Sequence, residues 1–175
     1  GSEVGMLDID AEAAEEEAGK LEGATALVAD ITDATAIDEV VGSFSRPDGL
    51  VNCAGWDRML PFLDTDPGLW ERIIELNLTG TLNVTHRVLR ELVDAGHGRI
   101  VTIASDAGRV GSSGEAVYSA CKGGLIALTK TLAREHARDG ITFNTVCPGP
   151  TDTPLLQGML QGGGAAEHIS QALTR

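Results

Sequence analysis

Five short apolar runs alternate with longer stretches of helical spacing, and this alternation restricts the chain's possible folds more than any other feature. Val4–Leu7, Ala24–Ala29, Leu50–Cys53, Arg99–Ala104 and Ile141–Cys147 are each no longer than a strand and rich in Val, Ile, Leu and Ala. Helical patterns fill the intervals at Ala11–Leu21, Ala34–Phe44, Pro67–Asp94 and Val117–Arg138. Asp66-Pro67 supplies a cap followed by a proline at the first helical position, while Gly96 and Gly98 end that helix and Gly140 the next. Such alternation predicts an α/β fold, a doubly wound parallel sheet with helices on both faces. There is no internal repeat. Beyond Pro148 the spacing predicts helices over Thr153–Gln161 and Ala165–Thr174 around a Gly162–Gly164 hinge, which reads equally as a lid over a pocket or as a fraying end.

Charge and composition narrow the function. A formal charge of -13 argues against a nucleic-acid partner, because phosphate binding needs a basic face. Much of that charge lies in Asp8–Glu22, which reads as the solvated side of a helix. No apolar run approaches the ~20 residues needed to cross a bilayer, so the expectation is a soluble, cytoplasmic protein without membrane partners. With 3% aromatics, the core must be built mostly of Ala, Val, Ile and Leu. Cys53, Cys121 and Cys147 sit in apolar runs without zinc spacing and read as small buried thiols in a reducing compartment. His86, His97, His136 and His168 form no metal-like cluster, so no metal is expected.

The chemistry centres on Tyr118, the only tyrosine, and Lys122, one of three lysines. Four residues apart on a helix, their side chains share a face. A phenol with a pKa near ~10 is a poor base at neutrality, and a neighbouring ammonium stabilises its phenolate. Such a shift would let Tyr118 pass a proton to and from a substrate oxygen. Ser105 directly follows the strand Arg99–Ala104, at the end of a parallel sheet where ligands bind, and could hold that oxygen. Asn52-Cys53-Ala54-Gly55 closes another strand with small residues that let a flat ligand approach the backbone. Asn77, in Asn77-Leu78-Thr79-Gly80, places poor helix formers inside a long helix and predicts a local distortion with a purpose.

Taken together, Asn52-Cys53-Ala54-Gly55, Asn77, Ser105, Tyr118-Ser119-Ala120-Cys121-Lys122 and Pro148-Gly149 resemble the short-chain dehydrogenases/reductases in order and spacing. The resemblance implies a Rossmann-type sheet with Tyr118 as general acid/base. Ser105 would orient the substrate oxygen, and Lys122 would bind the nicotinamide ribose and tune Tyr118. Asn77 would hold a water that extends the proton relay. It further implies cofactor contacts at Asp30, Ile31, Asn52, Ala54, Gly55, Tyr118, Lys122, Pro148, Gly149, Thr151 and Thr153. Cys53 and Cys121 depart from the family's more frequent Asn and Ser. Asp8 ends the first visible strand, where a carboxylate would accept the adenosine ribose hydroxyls and repel a 2′-phosphate, so NAD is expected over NADP.

Against that family pattern, the first strand with its glycine-rich turn and the C-terminal helix and strand are not present. Residues 1–175 are therefore expected to be a single, partial NAD-binding domain of a protein of roughly 250 residues, with 151–175 as substrate lid. In the family's sheet order the absent strand is the central one, so the edges of Val4–Leu7 and Leu50–Cys53 should stay unpaired. The stretches Asn52 to Trp56, Ser105 to Glu115 and Cys147 to Thr153 resemble dehydrogenases of cyclic 2-hydroxyacyl-CoA thioesters, of the 2-hydroxycyclohexanecarboxyl-CoA kind. The alternative is a 3-oxoacyl-acyl carrier protein reductase. Either would interconvert a secondary alcohol and a ketone, and Arg109 reads as a surface residue ahead of a contact to an acidic substrate group. A third reading is a non-catalytic, oligomerising fragment. Its long helices match those the family uses in dimers and tetramers, and Gly123 and Gly124 permit close helix approach.

Overall fold

The structure, a computed structural model, describes residues 2–44, 46–153 and 156–157. Five parallel strands, β1 (Val4–Asp8), β2 (Ala24–Val28), β3 (Gly49–Asn52), β4 (Gly98–Ile103) and β5 (Ile141–Val146), fall at the expected runs. The helices are α1 (Ala11–Ala18), α2 (Ala34–Ser43), α3 (Pro67–Ile74), α4 (Gly80–Ala95), α5 (Ala107–Val110) and α6 (Ala116–Glu135). Asp10 and Asp33 cap α1 and α2, each taking two backbone N–H groups of the first turn. Asp66 caps α3 through the Leu69 N–H, with Pro67 just inside, and Gly96 ends α4 at φ 71°, where only a residue without Cβ sits at no steric cost.

The strands form two sheets, β1-β2 and β3-β4-β5, and no ladder joins β1 to β3. The expected open edges are therefore present. The two sheets nonetheless share one core. Ala29, Ile37 and Val41 from the first pack with Val84, Val88, Leu89, Leu92, Ile100, Ile141 and Phe143 from the second. Burying ten such side chains is the main term holding the halves together, since each contributes roughly 1.5–3 kcal/mol when a Val or Leu leaves water. Among the described residues no helix is long and apolar enough to cross a membrane.

Two expectations need correction. In β3, Leu50 and Asn52 face α4, while Val51, on the opposite face of that strand, is 60% exposed. Cys53 continues that outward alternation and is exposed, Cys147 is half-buried, and Cys121 alone of the three is buried. Helix α6 ends at Glu135, and Gly140 (φ 70°) instead makes the turn into β5. The helices expected over Thr153–Gln161 and Ala165–Thr174, with the Gly162–Gly164 hinge, lie almost wholly outside the described residues.

Candidate active site

All four residues expected to carry chemistry come together at the carboxyl ends of β3, β4 and β5. Tyr118 and Lys122 stand one turn apart near the start of α6, with the Lys122 Nζ 5.4 Å from the centre of the Tyr118 ring. Lys122 is buried, and its ammonium donates to the Ile103 carbonyl (3.0 Å) at the end of β4. Ser105, two residues further, accepts the Ala107 N–H (3.1 Å) and faces the phenol.

The electrostatics differ from the expectation. Burial pushes the Tyr118 phenol up, the Ser105 hydroxyl pulls it down, and the carboxyls of Glu115 and Asp57 push it up again. Burial likewise lowers Lys122. The ammonium points at a backbone carbonyl, so its pull on the phenol oxygen is not what sets the Tyr118 pKa here. Ser105 is the group that favours the phenolate.

Asn77 is wholly buried in a π-helical turn, Glu75–Thr79, that interrupts the run between α3 and α4. This is the distortion the sequence predicts, and single π turns mark functional sites often. Its amide donates to the carbonyls of Trp56 (2.6 Å) and Ile73 (2.9 Å) and accepts the Trp56 N–H (3.2 Å). The segment after β3 is thereby clamped to the helix. Gly55 lies against this clamp, where a Cβ would stand 2.9 Å from the Asn77 Oδ1 and 3.3 Å from the Lys122 Nζ.

The other expected contacts divide into open and committed groups. Asp8 is exposed at the end of β1, one oxygen taking the Asp10 N–H (3.0 Å). Ala54, Gly55, Gly149 and Thr151 are exposed along the same rim, and Thr151 donates to the Gly149 carbonyl (3.0 Å). Asp30 spends one oxygen on the N–H and hydroxyl of Thr32 (both 2.8 Å). Ile31 lies over Gly80, and its carbonyl accepts the Asn83 amide (3.0 Å). Asn52 is buried, its amide donating to Thr85 (3.0 Å) and Thr102 (3.3 Å), so its side chain ties β3 to α4 and β4. The Pro148 carbonyl accepts the Asp106 N–H (2.9 Å), which joins the segment after β5 to the Ser105 turn. Thr153 turns its hydroxyl to the Leu156 N–H (3.3 Å). Arg109 pairs with Asp106 (3.1 Å) at the surface.

Two features escaped the sequence reading. Gly123 is used within the chain, since a Cβ there would meet the Gly108 carbonyl at 3.2 Å, so this glycine lets α5 lie on α6. Asp57 is buried beside the site next to the Glu115 carboxyl, and burial foremost pushes its pKa up to about 7. A carboxylate five residues past a strand's end was a visible signal, but its burial depends on a distant segment.

At its strand ends this α/β chain thus gathers a serine, a tyrosine one helical turn from a buried lysine, and a clamping asparagine. The chain belongs to the short chain dehydrogenase family, whose model matches residues 1–162. It is 38% identical over 176 residues to a mouse (Mus musculus) protein named (3R)-3-hydroxyacyl-CoA dehydrogenase, covering 91% of this chain and 68% of that protein. It is also 38% identical over 137 residues to the 3-oxoacyl-[acyl-carrier-protein] reductase of Escherichia coli, covering 76% and 56%. Among solved structures, an actinorhodin polyketide ketoreductase variant with NADPH matches with a TM-score of 0.87 and 34% identity, over 91% of this chain and 65% of that one. The 3-ketoacyl-(acyl-carrier-protein) reductase of Brucella melitensis complexed with NADH matches with the same TM-score and 27% identity, over 92% and 71%. The chain thus spans about half to two thirds of the length of its curated relatives.

The Gly55 cradle supports a direct test. Gly55→Val should lower kcat/KM by at least about tenfold, because small misplacements of catalytic groups are costly. The melting temperature should fall as well, because the new Cβ would stand 2.9 Å from the Oδ1 of the buried Asn77, which must shift to make room. Steady-state kinetics and a thermal melt would check both.

Proposed function

We propose that the protein containing this chain interconverts a secondary alcohol and a ketone on a hydroxyacyl thioester, with NAD as hydride carrier and Tyr118 as general acid/base. The observation that carries the reading is the convergence of Ser105, Tyr118 and Lys122, with Asn77 and Lys122 packed so close to Gly55 that a Cβ there would clash. The nucleotide supplies hydride transfer when bound; Lys122, Gly55, Ala54 and the rim at Gly149 and Thr151 would hold it.

The chain's own groups handle the proton. Ser105 and Tyr118 share the substrate oxygen. Tyr118 gives its proton to the ketone oxygen in reduction and takes it from the alcohol in oxidation. Burial keeps the phenol protonated at neutrality, the state in which it serves as an acid. Lys122 holds a fixed position through the Ile103 carbonyl, ready to donate to a ribose hydroxyl. Relatives named for 3-hydroxyacyl-CoA and 3-oxoacyl carrier protein substrates support a thioester, and free cysteines suit a reducing cytoplasm.

NAD is favoured over NADP by charge. Asp8 stands exposed where the adenosine ribose would lie, and the first 45 residues contain no arginine and a single lysine. That lysine, Lys20, is occupied by Glu16 (3.0 Å) and Glu17 (2.6 Å). Assaying the purified protein with 3-oxoacyl and 2-oxocyclohexanecarboxyl thioesters should therefore show turnover with NADH and at least about tenfold less with NADPH, like charges at close range costing on the order of 1.4 kcal/mol or more. Activity with NADPH alone would overturn the cofactor assignment. A stable oligomer that binds neither nucleotide would favour a non-catalytic role instead.

A further inference from the structure

A nucleotide held as proposed above touches both halves of the chain, with its adenosine end at Asp8 after β1 and its nicotinamide end at Lys122 on α6. The halves share an apolar core but no sheet ladder. Apolar packing is non-directional, so the fine spacing between them falls to polar contacts. Among the described residues only two side chains make polar links between residues 2–44 and the rest. Asn83 on α4 donates its amide to the carbonyls of Ile31 (3.0 Å) and Thr32 (3.3 Å). Arg87, one turn further along α4, pairs with the exposed Asp38 of α2 (3.2 Å). Only the Asn83 link falls at the strand ends, on the turn that follows β2.

That turn holds its own shape. Asp30 accepts the N–H and hydroxyl of Thr32 (both 2.8 Å), and the Asp33 N–H donates to the Asp30 carbonyl (3.0 Å). The Ala29 N–H donates to the Asp8 carbonyl (3.1 Å), so the turn and the end of β1 move as one piece. The Ile31 side chain lies on the bare backbone at Gly80. Three residues before Gly80, Asn77 fastens the segment that keeps Gly55 beside Lys122. One helical run thus grips a loop from each half.

We propose that Asn83 is a positioning residue for the nucleotide: it fixes the turn after β2, and Asp8 with it, at the distance from Lys122 that the bound nucleotide spans. This rests on the oxidoreductase reading above. The two carbonyls can only accept, so both N–H groups of the amide are used. At a half-buried site water can satisfy those carbonyls, but it cannot hold them to α4. Removing the amide therefore leaves the fold in place and loosens the turn. A loose turn has to be ordered when the nucleotide binds, which lowers affinity. Ser105, Tyr118 and Lys122 all belong to the other half and keep their places, so the chemical step is spared once the site is full.

Asn83→Ala, Asn83→Asp and Arg87→Ala should be compared with the natural protein by fluorescence titration of NADH and by steady-state kinetics. Asn83→Ala should weaken NADH binding by about tenfold and raise its KM in step, while kcat at saturating NADH stays within about twofold. Aspartate has the size of asparagine but cannot donate at neutral pH, so Asn83→Asp should lose at least as much. Arg87→Ala cuts the other link between the halves, yet its affinity for NADH should stay within about twofold. An aspartate variant that binds NADH as the natural protein does would refute the donor role. Equal weakening in Arg87→Ala would make Asn83 one general tie among others and refute its positioning role, as would a kcat that falls along with affinity in Asn83→Ala. A natural protein that binds neither NADH nor NADPH would instead refute the oxidoreductase reading itself.

Discussion

Replacing Tyr118 by Phe should reduce kcat by about 10²–10⁴-fold, the usual span of a positioned general acid/base, while nucleotide affinity changes by less than about twofold. The argument for so clean a separation is geometric. Only the phenol oxygen faces Ser105; the ring packs at the start of α6 with Lys122 5.4 Å from its centre, and phenylalanine preserves that ring. Lys122 would keep its bond to the Ile103 carbonyl, so the position of the ammonium does not depend on the hydroxyl. Loss of one buried hydroxyl should shift stability by no more than about 1 kcal/mol. Stopped-flow hydride transfer and nucleotide titration by fluorescence would measure the two effects separately. Retained turnover would remove Tyr118 from the chemistry.

The sequence made the placement of these residues legible and left their electrostatics hidden. Spacing alone puts Tyr118 and Lys122 on one face of α6, because a helix returns every 3.6 residues whatever surrounds it. The clash of Asn77 and Gly80 with helix propensity foretold the π turn for the same local reason. The direction of the Lys122 ammonium was not legible. It depends on the Ile103 carbonyl at the end of β4, a partner that the parallel register brings within reach. Asp57 was illegible for a similar reason: its burial arises where the loop after β3 meets Gly114, a contact between segments far apart in the chain. Gly123 shows the opposite failure. A glycine in a long helix suggested an intermolecular contact, and the neighbour it accommodates is the chain's own Gly108. Asn52 looked like a ligand contact because it ends a strand, yet two threonine hydroxyls turn its amide into the core.

Asn77→Ala should have the largest structural effect of any single change near the site, about 3 kcal/mol of stability and on the order of 10 °C in melting temperature. Its amide completes three hydrogen bonds that no neighbouring side chain replaces: to the Trp56 carbonyl, from the Trp56 N–H, and to the Ile73 carbonyl one turn earlier in the helix. Each backbone group left buried without a partner costs roughly 1–3 kcal/mol, so the sum exceeds the loss of one ordinary contact. The damage should reach activity as well. The Trp56 backbone holds Gly55 beside Lys122, so releasing it misplaces the loop next to the ammonium. A drop of about tenfold or more in kcat/KM is expected, measured well below the melting temperature of the variant. Asn83→Ala is the informative comparison, since Asn83 also bridges backbone carbonyls, those of Ile31 (3.0 Å) and Thr32 (3.3 Å), but is only half-buried. Water can take over there, and the cost should stay near 1 kcal/mol. If the two variants melt together, burial is not what makes Asn77 matter, and the view of the π turn as a clamp on the catalytic loop fails.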